Sequence, residues 1–179
     1  MVGSALPSLL WGVVYIAGMP LLAKTEFGND ISAYSYLVSA YGPGNIASTV
    51  AVSNSSIRRR TAVLWTGHLV LAFGFVWIGA TPGLWLAMIG AFIAATGGPM
   101  GDLMLTVLIQ DDVPAAHAGK AFAFLYTLWT ASMVAGLLLA TPLFTAFPVR
   151  AVFVVASAVG VAFSLLGLAV FGRRRVRLV

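Results

Sequence analysis

Runs of about twenty consecutive apolar residues, parted by short polar turns, constrain this chain more than any other feature. A helix of that length covers about 30 Å, the thickness of the hydrocarbon layer of a bilayer. A helix packed on one side of a soluble core would instead show apolar residues three and four apart. Composition supports the same reading. The chain has 179 residues, 60% of them hydrophobic and 8% charged, whereas a soluble domain is about a quarter charged. Too few charges are present to dress a surface facing water, so lipid must cover most of it.

The pattern predicts an all-α membrane protein, a single bundle of six transmembrane helices. The spans are expected at about 6–23, 31–52, 61–80, 84–109, 121–140 and 151–171, followed by a basic tail over 172–179. The connections carry turn residues: Gly28-Asn29-Asp30, Ser53-Asn54-Ser55-Ser56, Thr81-Pro82-Gly83, Pro114, and Pro142 with Pro148. Eight Lys and Arg fall on the side shared by the second loop, the fourth loop and the two termini, and two on the other. The positive-inside rule then places both ends in the cytoplasm of a multi-pass protein of the cell membrane. Trp77 and Trp85 flank the third loop, as anchors at the outer interface would.

The net charge of +5 does not indicate nucleic acid, because seven of the ten basic residues sit in two clusters that follow apolar runs. Those clusters are Arg58-Arg59-Arg60 and Arg173-Arg174-Arg175 with Arg177. The absence of cysteine excludes disulfides, thiolate metal sites and a thiol nucleophile. Two distant histidines leave a metal without ligands. Neither a nucleophile elbow nor a phosphate-binding loop is present. The chain is therefore read as no enzyme, with no cofactor.

Several residues stand out against the apolar background. Gly18-Met19-Pro20 and Gly97-Gly98-Pro99 are expected to break the first and fourth spans, and Gly42-Pro43 lies within the second. If the chain divides into two units of three helices, the first pair opens each unit, the pointer to an inverted-repeat transporter. Small residues recur at packing spacing: Ala40, Gly44, Ser48 and Ala51; Gly90, Ala94, Gly97 and Gly101; Ser157, Gly160, Ser164 and Gly167.

Asp102 is an acid well inside a span, roughly 10 Å from its end. An ionised carboxylate is costly there, so it should face the bundle interior or water, pair with a donor, or take up a proton. It reads as a site for protons or substrate, or as a structural acid bonded to backbone and hydroxyl groups. His68 lies at similar depth on the neighbouring helix and is a candidate proton partner, or a packing residue. Tyr34, Tyr36, Tyr41 and Asn45 on the second span, with Tyr126 and Trp129 on the fifth, suit an amphipathic or aromatic small molecule, or serve as interface anchors.

The order of spans and loops resembles the C-terminal half of a major facilitator superfamily transporter over nearly the whole chain. The most similar stretch runs from Gly97-Gly98-Pro99 through Gln110-Asp111-Asp112-Val113-Pro114 to Gly119-Lys120. It looks like the segment after the tenth helix of macrolide- and siderophore-exporter-like members, with Lys120 where those usually carry Arg. The loop ending in Arg58, Arg59 and Arg60 departs from the family pattern, having neither acid nor glycine.

The resemblance implies a 3+3 inverted-repeat half in which the first, second, fourth and fifth spans face a central cavity. The third and sixth would be peripheral, which favours Asp102 and disfavours His68. It also implies half of a secondary active transporter, exporting a small amphipathic molecule in exchange for protons. The partner would be a second six-helix half, either a separate N-terminal half or a second copy. The alternatives are a membrane subunit or scaffold of a larger complex, such as an ATP-driven permease, and a non-functional truncated transporter fragment.

Overall fold

Each apolar run satisfies its own backbone hydrogen bonds, which in a medium without water only a helix or a closed barrel can do. The computed structural model describes residues 5–28, 31–55, 57 and 59–172. All six rods are helical: α1 (Ala5–Glu26), α2 (Ile31–Ser53), α3 (Arg60–Ala80), α4 (Leu84–Asp112), α5 (Ala115–Ala146) and α6 (Val149–Phe171). Arg58, Asn29, Asp30 and the basic tail from Arg173 onward lie outside the described residues.

The helices end where the chain supplies a stop. Gly28 follows α1 with φ of 98°, a conformation that glycine reaches without steric penalty. Thr81 turns extended after α3, its N–H still donating to the Trp77 carbonyl at 3.1 Å. Pro114 and Pro148 precede α5 and α6, and each accepts the first bond of its helix, from His117 N at 2.8 Å and Val152 N at 3.1 Å. Helix therefore continues closer to each proline than hydropathy predicts. Lys120, expected in a loop, sits in the second turn of α5, and α5 runs through Pro142 to Ala146.

The expected helix breaks are corrected in kind. Gly97, Gly98 and Pro99 leave α4 helical throughout, and Gly42 and Pro43 do the same in α2. One proline removes one donor and distorts a turn, which a long helix held by its neighbours absorbs. Only α1 changes its winding: Trp11–Gly18 forms a π-helix just before Met19 and Pro20. The wider turn relieves the clash between the Pro20 ring and the carbonyl four residues earlier. The first and fourth rods thus do not share a common interruption.

Five of the rods, all but α2, are long and apolar enough to cross a membrane. At 23 residues α2 has the length, but Tyr34, Tyr36, Tyr41, Asn45, Ser48 and Thr49 dilute its hydropathy. The exterior is apolar, with Trp85, Leu138, Ile46 and Leu166 each at least 65% exposed. A soluble monomer does not display a surface of that kind.

The helices meet through small residues. α4 lies in the middle, packed along both α2 and α3, and α6 packs along α3. A Cβ on Gly67 of α3 would stand 2.6 Å from the Gly101 nitrogen and 2.7 Å from the Gly97 carbonyl oxygen of α4. The two backbones are therefore in contact, which only glycine permits, and close approach is what associates helices in lipid. Across α2 and α4, Gly44 faces the Phe92 carbonyl, and Ser48 Oγ donates to the Thr96 carbonyl at 2.5 Å. On α6, Gly160 admits Leu10 and Ala72, and Gly167 lies against the Trp65 ring. Ala51, from the same set of small residues, is exposed and takes no part.

Both ends of the bundle are tied by arginine. Arg60 at the start of α3 pairs with Asp111 at the end of α4. At the other end, Arg150 of α6 donates from Nε to Glu26 Oε2 at 2.6 Å and from Nη1 to the Thr81 and Gly79 carbonyls. Its guanidinium also lies 5.6 Å from the centre of the Phe27 ring. α1, α3 and α6 are thus held by one side chain.

Candidate functional site

α5 packs along α1 but makes little contact with α4. The separation leaves a cavity of about 430 Å³ lined from α1, α2, α3, α4 and α5. α1 and α5 are close because Gly12 faces the α5 backbone at Met133 and Leu137, and Gly136 faces the Leu9 carbonyl. α4 is held in the opposite direction by its glycine contacts with α3. The cavity therefore arises from where the small residues lie.

One wall is aromatic. Trp11, which opens the π-helical segment, stacks on Tyr15 with ring centres 4.0 Å apart. Tyr41 of α2 stands edge-on to Trp11 at 5.9 Å and tilted against Tyr15 at 5.1 Å. Phe75 lies behind them, with Tyr15 6.3 Å away, and belongs to the same buried cluster. Also in the lining, Tyr126 and Trp129 of α5 meet at right angles, their centres 5.6 Å apart. Ring edges meeting ring faces is the favoured arrangement of such pairs.

Asp102 is the acid of the lining. Its side chain is exposed, and among the described residues no hydrogen bond or ion pair engages its carboxylate. Only its backbone carbonyl is used, by Thr106 Oγ1 at 2.9 Å. Asn45, Ser8 and Thr130 add polar groups to the wall. The Tyr41 hydroxyl reaches α4 one turn before Asp102, 3.7 Å from where a Cβ of Gly98 would stand.

The cavity brings together Asp102, Tyr41, Asn45, Tyr126, Trp129, His68, Gly98 and Pro99. Gly18, Pro20, Gly42 and Pro43 are not in its lining, and Gly97 is occupied in the seam between α3 and α4. Arg59, Arg60 and Lys120 lie elsewhere, and Tyr36 turns outward beside Trp85, their centres 6.3 Å apart.

His68 departs from the expected layout. The third helix contributes both His68 and Leu71 to the lining. The His68 ring lies over Gly101, where a Cβ would come within 3.3 Å of Nε2. The glycine seam draws α3 inward and opens a path for that ring. Among the described residues, no hydrogen bond or ion pair joins His68 to Asp102.

Sequence reasoning missed Trp11, Pro7 and Ser8 of α1, and Thr130 and Met133 of α5. Pro7, Ser8 and Trp11 fall three and four residues apart, which is one helix face and a usable signal.

A bundle with a lipid-like exterior and a partly polar, open-sided cavity between its helices is the architecture of a membrane protein that handles a solute. The chain belongs to the Major Facilitator Superfamily, whose family description matches residues 1–178. Membership places it among secondary transporters and not among enzymes. Comparison with curated proteins gave no significant match, and neither did comparison with solved structures.

Proposed function

We propose that this chain is one half of a secondary active transporter that exports a small amphipathic molecule in exchange for protons. The observation that carries the proposal is the unengaged Asp102 carboxylate in the wall of an aromatic-lined cavity of about 430 Å³. A carboxylate that no described residue pairs with, set in a largely aromatic cavity, is suited to meet either a proton or a substrate group. Tyr41, Asn45, Tyr126 and Trp129 provide rings and polar groups for an amphipathic ligand. His68 shares the cavity with no hydrogen bond or ion pair to Asp102 among the described residues, and is assigned no direct proton transfer.

In this proposal α2 is the sixth span, with Tyr41 and Asn45 facing the cavity. Both termini lie in the cytoplasm, and Arg59, Arg60 and Lys120 mark that side. A second six-helix half, a separate chain or a second copy, closes the cavity, and alternating access comes from the two halves rocking about it. The permease-subunit reading is weaker. Its docking candidate, the acidic connection at Asp111 and Asp112, is the last turn of α4, and Asp111 is paired with Arg60.

The test is transport in proteoliposomes containing this chain alone and with a matching N-terminal half. Proton-gradient-driven movement is expected from the complete assembly and is lost in Asp102→Asn. An intact rate in that variant rejects the site, and transport without any proton gradient rejects the coupling.

A further inference from the structure

We infer that the cavity selects an organic cation, held by the Asp102 carboxylate and the faces of the surrounding rings. The inference rests on the reading of this cavity as a solute site, and it specifies the charge of the solute.

The charges of the lining decide the sign. Among the described residues, Asp102 is its carboxylate and His68 its imidazole, and neither lysine nor arginine lines it. Among the described residues, Arg60 pairs with Asp111 and Arg150 with Glu26 at the ends of the bundle, and no arginine lines the cavity. The carboxylate itself is exposed to the cavity and free of hydrogen bonds from described residues. A cation complements that charge, whereas an anion is repelled by it and meets neither lysine nor arginine among the described lining residues, and charge acts more strongly between low-dielectric walls than in water.

The rings add to the same preference. The face of an aromatic ring carries negative potential and attracts cations within about 6 Å, tryptophan most strongly. Trp11, Tyr41, Tyr126 and Trp129 line the same cavity as Asp102, so an ion held at the carboxylate shares that space with rings from three helices. A neutral amphipathic molecule would use the rings alone. A neutral donor can hydrogen-bond to the carboxylate, but a cationic solute also balances its charge.

The test compares tetraphenylphosphonium with tetraphenylborate, ions of nearly the same shape and opposite charge. Binding is measured by equilibrium titration of the full chain in lipid nanodiscs, with protein-free nanodiscs subtracted. Saturable phosphonium binding is expected, at least about tenfold tighter than that of the borate. Asp102→Asn lowers phosphonium affinity about tenfold or more while helical content holds, and Asp102→Glu retains the preference for the cation. Equal affinity for the two ions overturns the inference, as does an undiminished phosphonium affinity in Asp102→Asn. Saturable binding of the borate alone overturns the cation but leaves a solute site. No saturable binding of either ion overturns the cation site, and the proteoliposome assay then judges the transporter reading separately.

Discussion

At the residue scale, two side chains illustrate what a linear reading catches and misses. Asp102 was legible because a carboxylate inside an apolar run is an exception that demands an explanation. Its Asn variant is expected to abolish proton-driven transport and to leave the circular dichroism unchanged, since no described residue bonds to its carboxylate. Arg150 looked like an ordinary loop residue. Instead it satisfies the Thr81 and Gly79 carbonyls at the end of α3 and pairs with Glu26 of α1. Charge-assisted bonds to otherwise exposed helix-end carbonyls contribute more than a lone surface ion pair. Arg150→Ala is expected to lower stability by about 1–2 kcal/mol, discounted for partial exposure, and Arg60→Ala by less than about 1 kcal/mol. Thermal unfolding of both variants in one detergent checks the order, and equal losses would contradict it.

At the scale of elements, glycine has opposite meanings at two positions that look alike in sequence. Gly67 forms part of the seam with α4, where an added Cβ would stand 2.6 Å from the Gly101 nitrogen. Gly42, in the middle of α2, has nothing within 4 Å of that position. Gly67→Ala is therefore expected to force α3 and α4 apart and destabilise by about 1–3 kcal/mol. Gly42→Ala meets no other helix, and its gain in helix propensity is offset by its Cβ crowding the Pro43 ring, so a change of less than about 1 kcal/mol is expected. Denaturation midpoints of the two variants separate the seam from the open face. Helix position was legible because hydropathy reports bilayer-length runs. The ends were less so, because Ala115, Ala116 and the residues after Ala140 continue helix until Pro114 and Pro148 stop it. The π-helical turn of α1 and the unbroken α4 contain similar Gly and Pro groups, and only the surrounding packing distinguishes them.

At the scale of the whole molecule, the two arginine ties mark opposite ends of the bundle. One holds Arg60 and Asp111, the other Arg150, Glu26 and Thr81. The excess of basic residues beside Arg60 predicts that this end faces the cytoplasm. The chain has no cysteine, so single replacements report cleanly. In intact cells a membrane-impermeant thiol reagent is expected to label Pro82→Cys and to spare Ser55→Cys until the membrane is opened. Both positions are exposed. Labelling of both from outside would reject the orientation and the span count together.

The environment of this protein, its helical class and the approximate places of its helices follow from sequence alone, because bilayer thickness and backbone hydrogen bonding act on consecutive residues. Which helices touch, and therefore where space remains, was decided only in three dimensions. Contacts such as Gly67 with Gly101 and Gly12 with Met133 join residues far apart in the chain, and side-chain size at such meetings sets how closely two rods approach. The cavity is the gap left by those approaches, and it is why Trp11 and His68 share a wall with Asp102.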